Sequence, residues 1–99
     1  MARSPRLSLT RRQLRWAIEL CSLGLSVRRA AIDALVSSDA EAQADYLAIR
    51  GELSPRGRLF HPVARRAMRT KLDVLHARRD IRELELLQER LRSVLEKES

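Results

Sequence analysis

The sequence predicts an all-α protein: three short helices followed by one long C-terminal amphipathic helix. Three observations carry that expectation. Leu, Ala, Arg and Glu are abundant, while 99 residues contain only three Gly, three Pro and three aromatics, Trp16, Tyr46 and Phe60; such a composition suits helix interiors. Apolar residues recur at steps of three and four instead of alternating. Capping residues and turn clusters punctuate the chain at intervals that match short helices.

The first helix has the clearest start. Thr10 with Gln13 three residues on is a capping box, in which each side chain satisfies a free backbone amide of the other. Leu9 before the cap and Leu14 after it form the matching hydrophobic staple. Leu14, Ala17, Ile18, Cys21 and Leu25 then recur at helical spacing, with Trp16, Leu20 and Leu23 as a second strip beside them. This wide apolar arc predicts a central helix, ended by Gly24. Ser26 can cap a second helix to about Val36, burying Val27, Ala31, Ala34 and Leu35. Arg28 and Arg29 fall in its first turn, where the helix dipole disfavours cations and a phosphate would be welcome. Ser38 and Glu41 form a further capping box, opening a third helix to about Leu53 with Ala40, Ala44, Leu47 and Tyr46 inward.

Ser54-Pro55-Arg56-Gly57 is a turn cluster that stops this helix. Pro62 is a good first-turn residue for the last helix. No Gly or Pro follows it, so the helix can run to the end, about 54 Å at the usual rise. A compact domain of this size is only about 32 Å across, so the helix must break, or project and pair. Ala64, Met68, Leu72 and Leu75 make one stripe, with Val63, Ala67 and Val74 beside it. Farther on, the stripe passes through Ala77, Ile81, Leu84, Leu87, Leu91, Val94 and Leu95. The spacing of 84, 87, 91 and 94 reads as heptad positions. Ile81, Leu84, Leu87, Leu91 and Val94 are thus expected at a contact between copies, with packing on the first three helices as the alternative. The chain divides into a helical region over 1–57 and the long helix over 58–99, within one structural domain.

Composition excludes several classes. The single cysteine, Cys21, rules out an intrachain disulfide framework and a thiolate metal site; it reads as a small core residue in a reducing compartment. His61 and His76 are the only histidines, and neither has a second ligand at metal spacing. His61 is expected as a cap or loop residue. No Gly-rich phosphate loop and no nucleophile-base-acid spacing stands out, so neither catalytic residues, metal nor cofactor are assigned. No apolar run approaches the roughly 20 residues of a membrane span, and the basic start lacks the apolar run of a secretory signal. These features predict a cytoplasmic protein with no membrane partner.

Net charge is +7, and it is patterned. Residues 1–32 carry seven arginines against Glu19, 33–52 carry five acids against Arg50, 56–79 carry eight bases against Asp73, and 80–99 are mildly acidic. Three helices joined by short turns have the layout of a helix-turn-helix domain. Arg3, Arg6, Arg11, Arg12 and Arg15 form an N-terminal basic arm and helix face, and such arms reach grooves or phosphates. Arg56, Arg58, Arg65, Arg66, Arg69 and Lys71 form a second basic stretch across a loop and a helix start, of which Arg65, Arg66 and Arg69 are the expected phosphate contacts. With Arg28 and Arg29, these are the expected contacts to duplex DNA. The third helix is acidic through Asp39, Glu41, Asp45 and Glu52, which argues against base reading from it.

Leu9-Thr10-x-x-Gln13-x-x-Trp16-x-x-Glu19-Leu20, then Gly24-Leu25-Ser26, then Ala30-Ala31-Ile32-x-Ala34-x-x-Ser37 resembles the opening of phage terminase small subunits. Leu59-Phe60-His61-Pro62-Val63-Ala64 is loosely similar to a later stretch of that family. The resemblance covers about residues 9–37, with an echo over 59–67. It implies a helix-turn-helix-like DNA-binding region followed by helices that assemble the subunit into a ring. The family's glycine-tyrosine pair is Leu35-Val36 here, and its tyrosine after Glu is Leu20. The resulting expectation is a non-enzymatic, oligomeric DNA-binding protein, of packaging or small regulatory type. The rival is a helical interaction module, an adaptor, chaperone or inhibitor, whose arginines meet an acidic protein partner.

Overall fold

A computed structural model describes residues 9–97 of the chain. Helix α1 runs Arg11–Ile49, 39 residues, and is followed by one turn of 3-10 helix at Arg50–Glu52. A four-residue helix α2, Gly57–Phe60, leads into α3, Pro62–Lys97, of 36 residues. The two long helices lie antiparallel as a hairpin measuring 64 × 33 × 15 Å. Its radius of gyration is 20.8 Å, against about 13 Å for a compact chain of this length. The molecule is one layer of helix thick.

The start of α1 is as the sequence dictates. Gln13 N donates to Thr10 Oγ1 at 3.2 Å, and Thr10 N donates to Gln13 Oε1 at 2.9 Å. Leu9 packs against the core cluster that contains Leu14. Pro62 opens α3 as its spacing implied, and His61 caps it, Nδ1 accepting from Val63 N at 3.2 Å. At the turn, Ser54 Oγ accepts from Gly57 N at 3.0 Å, and the Arg56 guanidinium sits 5.9 Å from the Phe60 ring centre.

The all-α class holds, but the three short helices do not. Residues 11–49 form one helix, so it ends neither at Gly24 nor near Val36, and Ser26, Ser38 and Glu41 lie inside it instead of capping. The physical reason is a longer register. Leu14, Cys21, Leu25, Ile32, Leu35, Asp39, Ala42, Tyr46 and Ile49 follow one seam at steps of three, four or seven, and each is buried or half-buried. A glycine inside a helix costs about 1 kcal/mol, less than breaking so long a seam. Gly24 also sits close to α3: a Cβ there would lie 3.6 Å from Leu84 Cδ1.

The facing seam of α3 holds Ala64, Ala67, Val74, Gln88 and Leu91 as its buried members. Leucines fill the open end, where Leu14 and Leu91 meet Cys21. Alanines line the closed end, where Gln43 Nε2 reaches Ala67 O at 2.8 Å.

Because α1 has a single long neighbour, only one of its apolar strips is covered. Trp16, Leu20 and Leu23 are exposed, so α1 is not a central helix. Val27, Ala31, Ala34, Ala40, Ala44 and Leu47, expected inward, face solvent, as do Met68, Leu72 and Leu75 on α3.

Candidate interaction surfaces

Two polar crosslinks hold the hairpin in register. Near the open end, Gln88 Nε2 donates to Ile18 O at 3.2 Å and to Ser22 Oγ. Toward the closed end, Asp39 Oδ1 accepts from Gln43 Nε2 at 3.0 Å and from Thr70 Oγ1 at 3.0 Å. The Gln43 bond, ahead of the Thr70 bond and the charges of Lys71 and Arg78, holds the Asp39 carboxyl below its ordinary pKa. Asp39, read from the sequence as one of the acids of a third helix, is therefore a cross-helix acceptor.

The expected phosphate contacts fall into separate places. Arg3 and Arg6 lie outside the described residues. Arg11, Arg12 and Arg15 gather around Trp16 and Glu19 at the open end of the hairpin. Arg65, Arg66 and Arg69 lie at the closed end: Arg66 Nη1 pairs with Asp45 at 3.2 Å, and Asp45 is about 45 Å along α1 from Arg15. Arg29 pairs with Glu85 at 3.6 Å, and Arg28 Nη1 donates to Gly24 O at 3.3 Å. With α1 continuous, these two arginines are mid-helix and feel no N-terminal dipole. Arg11, Arg12, Arg15, Arg65 and Arg69 are exposed and make no ion pair among the described residues. There is also no break near residues 24–26 or 36–38 to orient a recognition helix.

The residues expected at a copy-to-copy contact divide. Leu91 is buried and Val94 half-buried in the hairpin's own cluster with Leu14 and Cys21. Ile81 and Leu84 are half-buried, and Leu87 is 46% exposed. The seam inside the hairpin runs through Gln88 where leucine periodicity favoured Leu87.

Two apolar surfaces remain uncovered. One is a strip along the back of α1. Trp16, Leu20, Leu23 and Val27, exposed by 62, 46, 62 and 60%, continue into exposed Ala30 and Ala34. Their steps of four and three repeat as a heptad seam. The sequence showed its first half as a second strip; the signal for the whole was its continuation across Gly24. The other is a groove at the closed end, where Leu59, Met68 and Leu72 flank Tyr46, Ala64 and Ala67. It depends on α2, which the spacing did not predict.

Among the described residues no group of three His, Cys, Asp or Glu side chains stands together as a metal site, and no helix is long and apolar enough to cross a membrane. Cys21 is a buried free thiol. Comparison with family models, curated proteins and solved structures returned no match.

Proposed function

We propose that this chain is a non-enzymatic helical docking module that works by offering amphipathic helix faces to other helices. One observation carries the reading. A hairpin 15 Å thick buries one seam per helix and leaves two further apolar surfaces on its outside. Continuous exposed apolar patches of this kind mark interaction sites, and helix-in-groove or coiled pairing is the mode that heptad spacing serves. The arginines then favour partners with acidic flanks, and self-association belongs to the same reading.

The test is selection of binders from a displayed library of helical peptides. Enrichment of sequences with a heptad apolar stripe is expected. Met68→Glu with Leu72→Glu should remove those that occupy the closed-end groove. A selection that yields no amphipathic helices would overturn the proposal.

A second reading is contact with duplex DNA, in a packaging subunit or a small regulator. It is favoured by the unpaired Arg11, Arg12 and Arg15 around exposed Trp16. Guanidinium groups free of internal carboxylates are available to phosphates.

A further inference from the structure

We infer that the back strip of α1 is occupied by α1 of a second copy, packed antiparallel about a two-fold axis midway between Leu23 and Val27. The inference rests on the docking reading and names its partner. A two-fold contact requires a surface complementary to itself. Reversed about its centre, this strip sets large side chains against small ones: Trp16 opposite Ala34, Leu20 opposite Ala30, and Leu23 opposite Val27. That is the knob-and-gap alternation that lets facing helices interdigitate. On one flank of the strip Ala31 is small and exposed, while Ala17 and Gly24 turn toward the hairpin's own α3. On the other flank Glu19 comes level with Asp33 of the second copy, with Arg15 as the guanidinium near that pair, while Arg29 is held by Glu85 of its own α3. None of the four large strip residues belongs to the hairpin's own core.

The strip is about 27 Å long, and its pairing covers on the order of 500 Å² per copy, short of the roughly 800 Å² per partner of standard complexes. The dimer is therefore reversible and forms with concentration.

The register gives a decisive experiment on the full chain. Sedimentation velocity of the wild type from about 1 to 500 µM should show mass rising from one copy to two. The emission of Trp16, the only tryptophan, should shift to shorter wavelength in parallel. Leu23→Glu alone and Val27→Arg alone should stay monomeric with unchanged helical circular dichroism. An equimolar mixture of the two should restore the dimer, because the new carboxylate then faces the new guanidinium while Val27 and Leu23 still meet on the other side. A parallel pairing cannot be rescued this way. Ala30→Glu, at another exposed position facing Leu20, should also be monomeric, and keeps the test open if either first variant unfolds.

A wild type monomeric throughout would overturn the inference, as would self-association by the single variants or a folded mixture that stays monomeric. Monomers that still select amphipathic peptides would sink the self-pairing alone and leave the docking reading standing.

Discussion

Gln88 is the buried polar side chain of the hairpin, 8% exposed in a seam otherwise made of apolar residues. Replacing it separates what burial contributes from what its hydrogen bonds contribute. Gln88→Ala removes the bonds to Ile18 O and Ser22 Oγ, each worth about 0.5–1.5 kcal/mol net. It also deletes about two methylene equivalents of packing at about 0.8 kcal/mol each. Ile18 O lies within α1 and Ser22 is exposed, so neither partner is left as a buried orphan. The expected cost is about 3–5 kcal/mol. Gln88→Leu loses the same bonds but keeps the volume and gains apolar burial of about 1.5–3 kcal/mol. It should fall within about 1 kcal/mol of the wild type, on the stabilising side. Urea unfolding followed at 222 nm, at one fixed protein concentration because association shifts apparent stability, reads both. A leucine variant as unstable as the alanine variant would refute the reasoning and give the stability to the bonds.

Acid should act through Asp39. Its folded pKa lies below the ordinary value, chiefly through the Gln43 bond, so its contribution is present above the unfolded pKa of about 3.9 and is lost as pH falls through the lower folded value. A urea midpoint measured from pH 6 down to pH 2 should fall less steeply for Asp39→Asn than for wild type; parallel curves would remove Asp39 from the account. For the DNA reading, fluorescence anisotropy of a labelled duplex across a salt series should weaken linearly with log salt. Each alanine at Arg11, Arg12, Arg15, Arg65, Arg66 or Arg69 should lower the slope by about one unit. Arg66, already paired with Asp45, should contribute least, and an unchanged slope in the six-fold variant would end that reading.

The helix class, the capping box at Thr10 and Gln13, the stop at Ser54-Pro55 and the start at Pro62 were legible because each is set by neighbours three or four residues apart. The misreadings share a different cause. Gly24 as a stop and Ser38 as a cap are local signals that lose to a seam running the length of α1, and that seam has value only because α3 covers it. Leu87 is more apolar than Gln88, yet the side facing α1 is fixed by where the chain reverses, at residues that short-range spacing does not weigh. The two arginine clusters read as separate stretches in the sequence, both assigned to one duplex. The hairpin sets them at opposite ends of a 64 Å molecule.

The antiparallel arrangement also orders the folding of the chain. Asp45 and Arg66, joined near the turn, are 21 residues apart, whereas Gln88 and Ser22 are 66 apart. Closing the wider loop first would cost about 1 kcal/mol more than closing the narrower one. Each pair formed from the turn outward shortens the next loop to a few residues. The hairpin therefore closes as a zipper from the alanine-lined end. The core of Leu14, Cys21 and Leu91 then locks the open end once the helices have met that far.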